Sequence, residues 1–151
     1  MQVVVDELLT SYMRAGNGDP VLILHGWGDN SASWDDFAAH LGKNYEVIVL
    51  DLPGFGGSNA PKEAWGLSEY ATFVADFLKK VDIKPYAIVG HSNGGAIAIR
   101  GLSNGTLRTK KLVLLASAGV RGEKSGRNKV LRVVAKTGKA VTAPLPKTTK
   151  R

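Results

Sequence analysis

The stretch Val89-Gly90-His91-Ser92-Asn93-Gly94-Gly95 decides the fold of this chain. A short apolar run, Tyr86-Ala87-Ile88-Val89, leads straight into a serine with glycine two residues away on each side. An apolar run of helix length, Ala96 to Leu102, follows at once. This is a Gly-x-Ser-x-Gly strand–turn–helix elbow, whose turn is tight enough to hold the serine hydroxyl clear of a sheet. Such a turn strains the serine's own backbone, and side chains at Gly90 and Gly94 would strike the neighbouring strand and helix. A helix beginning at Asn93 points its positive end at the same place. In a chain with 18 glycines among 151 residues the bare pentapeptide is a weak signal, so its weight comes from the elements around it.

Upstream lie two continuous apolar runs of strand length, Val21-Leu22-Ile23-Leu24 and Glu46-Val47-Ile48-Val49-Leu50, as expected of strands buried on both faces. The first ends in His25-Gly26-Trp27-Gly28-Asp29-Asn30. The second runs into Asp51-Leu52-Pro53-Gly54-Phe55-Gly56-Gly57-Ser58, too rich in glycine and proline for helix or strand. Between them a helix is expected from Ser33, with Asp36 as its capping-box partner, to Gly42. Ser68 is expected to cap the clearest helix, whose Tyr70, Phe73, Val74, Phe77, Leu78 and Val81 share one apolar face. Gln2–Val5 and Leu8–Met13 read as a leading antiparallel pair with Ala15–Gly18 as the turn out of it, and Lys111–Ala116 as a further buried strand. Apolar strands alternating with helices predict an α/β fold of three layers, a mostly parallel sheet covered on both faces.

The length suits one domain with a sizeable core, and 44% hydrophobic with 22% charged residues is ordinary for a globular protein. The absence of cysteine excludes a disulfide framework and a thiolate metal site. Asp6 and Glu7 stand where a signal peptide would be basic, and no apolar stretch reaches membrane-spanning length, so the cytoplasm is the expected location. Charge is divided unevenly: residues 1–107 carry 7 Lys/Arg against 12 Asp/Glu, and residues 108–151 carry 13 against 1. The chain therefore divides into a core, residues 1–118, and a basic segment, residues 119–151. Within the latter, Arg127–Val141 reads as an amphipathic helix and Ala143–Arg151 as a linker or frayed end. Residues 121–151 are a candidate for docking on an anionic membrane surface; nucleic-acid binding rests on charge alone, with no reading motif behind it.

With His25-Gly26 after one strand, the glycine-rich loop at Asp51–Ser58 after the next and then the serine elbow, the chain resembles the N-terminal part of an α/β-hydrolase over about residues 1–118. The loop after Asp51 is most similar to those of cofactor-free esterases, peroxidase-like hydrolases and carbon–carbon bond hydrolases. Members with an aspartate nucleophile are disfavoured, because Ser92 holds that place. The resemblance implies an esterase-like serine hydrolase, working through an acyl-enzyme on a small-molecule ester or related carbonyl substrate, with no metal and no cofactor. It implies Ser92 as nucleophile, with the backbone N–H groups of Trp27 and Asn93 as oxyanion donors. His25, Gly26, Gly90, His91 and Gly94 shape the site. His91 suits packing or hydrogen bonding rather than service as the base, because adjacent side chains diverge on such a turn. His40 is expected at the surface, and Asp51 is expected to tie down its own loop. Asp29 and Asn30 either touch substrate or form a turn.

A hydrolase of this type orders its triad as serine, acid, histidine. After Ser92 the sequence holds no histidine, and Glu123 is its one carboxylate. The resemblance places the acid and the histidine after later strands, beyond a helical cap begun by Arg127–Val141. The chain is thus expected to be a fragment truncated before the last strands. The alternatives are a second polypeptide that supplies the missing groups, or an inactive scaffold that binds a small molecule or partner. The strand Lys111–Ala116 then lacks a parallel neighbour, and self-association through that uncovered edge is expected.

Overall fold

The computed structural model describes residues 1–119. The helix expected at Arg127–Val141 and the anionic-membrane role of residues 121–151 lie outside the described residues. The six strands are β1 (Gln2–Val5), β2 (Leu8–Ala15), β3 (Asp19–Leu24), β4 (Tyr45–Leu50), β5 (Ala87–His91) and β6 (Lys111–Leu115). They form one sheet in the order β1-β2-β4-β3-β5-β6. β1 and β2 pair antiparallel, as do β2 and β4, while β4, β3, β5 and β6 run parallel. The helices are α1 (Asp35–Leu41), α2 (Leu67–Lys80) and α3 (Asn93–Ser103).

The three layers follow from strand alternation. Val21, Ile23, Val47, Val49, Ala87 and Val89 face one side and pack with Ala38 of α1. Leu22, Leu24, Ile48, Leu50 and Ile88 face the other, against Tyr70, Phe73, Val74 and Phe77 of α2 and Ile97 of α3. Leu22, Ile23, Leu24, Ile48, Val49 and Leu50 are wholly buried, each worth about 1.5–3 kcal/mol in removed apolar surface. The apolar runs are uninterrupted because both faces of these strands are covered.

The chain leaves β3 for α1 on one face and β5 for α3 on the other, and β4 and β5 flank β3 on opposite sides. The loops after β3 and β5 therefore part at their carboxyl ends, where open α/β sheets form their ligand crevices.

Two helix starts differ from expectation. The first helical segment opens with a 3-10 turn, Ser31–Trp34, because the Asn30 side chain accepts the Ala32 N–H at 2.9 Å one turn ahead of Ser33. α2 starts at Leu67 rather than behind Ser68, because the Glu69 carboxylate reaches back to the Gly66 N–H at 2.9 Å and completes that turn earlier. β6 differs as well: expected as a buried strand, it is outermost among the described residues, and its apolar side chains are exposed. No helix among the described residues is long and apolar enough to cross a membrane.

Candidate functional site

Ser92 joins the end of β5 to the start of α3 with φ 47 and ψ −112, a conformation that a residue with a side chain rarely adopts. The surrounding glycines are fixed by contact. A Cβ at Gly90 would lie 2.5 Å from the Gly95 Cα, and one at Gly94 would collide with the carbonyl oxygens of Leu24 and His25. The elbow is thus pressed between its own helix and the end of β3. Its backbone is held from β6: the Ser92 N–H donates to the Leu115 carbonyl at 3.0 Å. The Ser92 carbonyl accepts N–H groups from Ala118 at 2.9 Å and Ala96 at 3.3 Å. Asn93 is the first helical residue, so its N–H has no partner within the helix and is available to a ligand.

The loop after β3 supplies the facing wall. The Asp29 N–H donates to the Gly26 carbonyl at 3.3 Å, and Gly28 has φ 76, the pattern of a type II turn with Trp27 at its second position. Gly26 abuts the elbow: a Cβ there would lie 3.0 Å from His91 Nδ1 and 3.4 Å from Ser92 Cβ. The loop after β3 and the serine therefore meet at Gly26. The Trp27 indole is 72% exposed, set edge-on to Phe55 at 4.9 Å, and Phe55 in turn packs edge-on against His25 at 5.8 Å.

The histidines divide into three environments. His25 is wholly buried, with both ring nitrogens engaged: Nε2 accepts the Leu52 N–H at 3.0 Å and Nδ1 lies 2.7 Å from the Gly26 carbonyl. His91 lies against Trp34, ring centres 6.0 Å apart, and over Gly26, with Nδ1 buried and unpartnered among the described residues. That is a packing position. His40 is exposed on α1.

The carboxylates brace loops. Asp51, 3% exposed, accepts the N–H groups of Ser31 at 2.6 Å and Gly57 at 2.9 Å. It ties its own loop, as expected, and also anchors the turn that follows the loop after β3. Asp29 accepts the Asn30 N–H at 2.9 Å and the Trp34 indole N–H at 3.4 Å. Burial opposes its ionisation, but hydrogen bonds from Ser33, Asn30 and Trp34 outweigh that and hold its carboxyl below the ordinary value. Asp29 and Asn30 thus form the turn. Tyr70 of α2, its hydroxyl pushed up by burial, donates to the Pro53 carbonyl at 3.1 Å and fixes the start of the Asp51 loop.

Sequence reasoning missed Gly28, Gly95 and the segment Ala116–Ala118. The Gly-x-Gly spacing around Trp27 carried a turn signal for Gly28. Nothing local marked the other two, because their constraint comes from contact between the elbow and the segment that follows β6.

Known proteins share this arrangement. Residues 19–140 match the family described as alpha/beta hydrolase fold. Over 118 residues the chain is 33% identical to the 2-hydroxy-6-oxo-6-(2'-aminophenyl)hexa-2,4-dienoic acid hydrolase of Metapseudomonas resinovorans, covering 74% of this chain and 40% of that protein. Over 116 residues it is 35% identical to the poly(3-hydroxyalkanoate) depolymerase of Ectopseudomonas oleovorans, covering 77% and 41%. Among solved structures, a membrane phospholipase A described as a bacterial virulence factor superposes with a TM-score of 0.79 at 31% identity, covering 88% of this chain and 44% of that one. The chain spans about a third of the length of the curated relatives it matches. A serine elbow on a parallel sheet, a turn bearing a backbone donor beside it and a match over residues 19–140 converge on one conclusion: the chain belongs to the α/β-hydrolase fold family.

Proposed function

We propose that this chain carries the nucleophile and oxyanion hole of a serine hydrolase acting on an ester or related carbonyl compound. Ser92 Oγ adds to the substrate carbonyl carbon while a histidine base takes its proton. The oxygen that becomes negative lies between the Trp27 and Asn93 N–H groups. Collapse of the adduct breaks the bond to the leaving group, which takes the proton from the histidine, and leaves an acyl-serine. Water, deprotonated by the same histidine, then releases the acid and restores Ser92. In this reading the histidine and its acid partner lie outside residues 1–151. His25 has both nitrogens committed and His91 is packed on Trp34, so neither serves as that base. The observation that carries the proposal is the strained φ of 47 at Ser92, a half-buried serine at a strand–helix junction, because such strain clusters at functional sites. The hydrolase and depolymerase names of the relatives support an ester or carbon–carbon substrate next to a carbonyl.

A fluorophosphonate probe tests this. In the full-length protein the probe labels Ser92 and fails to label Ser92→Ala; an unlabelled Ser92 rejects the proposal. The second reading, a scaffold that binds a small molecule or partner without turnover, is favoured by the lack of any histidine after Ser92 in this sequence. Ligand binding by the full-length protein with no covalent label and no turnover selects it.

A further inference from the structure

β5 and β6 pair in parallel at a constant offset, from Ala87 opposite Lys111 to His91 opposite Leu115. Continued by one residue, that register sets Ser92 opposite Ala116. A regular ladder then takes the Ser92 N–H to the Leu115 carbonyl and the Ser117 N–H to the Ser92 carbonyl. The first bond is present at 3.0 Å, but the second is made by Ala118 instead, at 2.9 Å. One extra residue therefore lies between Leu115, the last residue of β6, and Ala118, a bulge-like irregularity just past the end of the outer strand and beside the nucleophile. Ala116 bears its backbone mark, a φ of 44 that costs an alanine strain. Ser117 is displaced from the ladder and lies over the first turn of α3, where a Cβ at Gly95 would come within 2.7 Å of the Ser117 Cβ. That contact explains Gly95.

The bulge matters because of what the Ser92 carbonyl is joined to. The Ser92 C=O and the Asn93 N–H are opposite edges of one planar trans peptide, so a partner that fixes the direction of one fixes the other. We propose that the Ala116–Ser117 bulge is the positioning device of the oxyanion hole. Through the Ala118 N–H it sets the plane of the Ser92–Asn93 peptide and so aims the Asn93 N–H at the developing oxyanion. The grip from Ala118, at 2.9 Å, is shorter than the helical bond from Ala96, at 3.3 Å, so the helix alone does not set that plane. Ala116, Ser117 and Ala118 touch no reacting atom; they are positioning residues. The inference rests on the reading of Ser92 as nucleophile.

Three variants of the full-length protein test it by fluorophosphonate inactivation and hydrolysis of a p-nitrophenyl ester. Deletion of Ser117 restores a regular ladder, and Ala116→Val opposes a positive φ. Each is expected to lower kcat and the inactivation rate by about tenfold or more with KM changed less than about twofold, because the aim of a donor counts in the transition state. Ala116→Gly, free to adopt the same φ, is expected to reverse the loss seen in Ala116→Val. In the 151-residue chain, amide exchange should show Ala118 protected in the wild type and unprotected after deletion of Ser117. An undiminished rate in the folded deletion variant, equal losses in Ala116→Gly and Ala116→Val, or an unprotected Ala118 amide in the wild type overturns the proposal. Should the deletion variant fail to fold, the Ala116 pair decides. A wild type that takes no label sinks the nucleophile reading instead, and Ala118 exchange still reports on the bulge.

Discussion

Leu52 donates its backbone N–H to Nε2 of His25 at 3.0 Å, joining the loop after β4 to the end of β3. An accepting Nε2 puts the ring proton on Nδ1, which donates to the Gly26 carbonyl at 2.7 Å. The imidazole is thereby a fully paired brace beneath the loop after β3. His25→Ala leaves the buried Leu52 N–H without an acceptor and opens a cavity, and is expected to cost about 2–4 kcal/mol. Urea unfolding of the two proteins measures it. A loss well under 1 kcal/mol would mean that water or a shifted loop replaces the brace.

Ser92 offers a direct reading of stored strain. Ser92→Ala and Ser92→Gly both remove the hydroxyl, but only glycine relaxes at φ 47. The glycine variant is expected to be more stable than the alanine variant by about 1 kcal/mol, less than the full cost of holding a Cβ in this conformation because glycine also gains entropy in the unfolded chain. Equal unfolding midpoints would show that the elbow carries no strain in solution.

What could be read from the sequence was whatever depends on neighbours in sequence. Val21–Leu24 and Glu46–Leu50 are apolar at every position or nearly so, and only a sheet covered on both faces accommodates them. Gly90 and Gly94 were legible because the serine elbow itself dictates which atoms approach. The helix starts were not, since several side chains compete within one turn: Asn30 caps ahead of Ser33, and Glu69 reaches back to Gly66 ahead of Ser68. The bulge at Ala116–Ser117 had no local signal at all. Ala-Ser-Ala is an unremarked sequence, and its conformation comes from the register of β5 and β6.

Asp29 gives the loop after β3 a pH dependence. Its carboxyl is held below the ordinary value in the fold, so its bonds to Asn30 and Trp34 stabilise the native state fully above the unfolded carboxyl's pKa. That contribution is lost as pH falls through the lower, folded value. Asp29→Asn abolishes this titration. The melting temperature of the wild type is expected to exceed that of Asp29→Asn at neutral pH, and the gap to close as pH falls below about 4. A gap that stays constant with pH would show that Asp29 acts through packing alone.

The outer strand makes the last prediction. Leu112, Val113, Leu114 and Leu115 are 36–44% exposed, and among the described residues β6 pairs with β5 alone. Successive residues point to opposite faces, so apolar surface is open on both sides of a row of unpaired backbone groups. Two copies meeting at this edge would each supply the hydrogen bonds and the apolar cover that the other lacks. The 151-residue chain is expected to sediment as a concentration-dependent oligomer. Val113→Lys should shift it towards monomer, because a charge on the edge resists pairing, whereas Ala39→Lys, on the exposed side of α1, should not. A compact wild-type monomer across the whole concentration range would show that something within the chain already covers this edge.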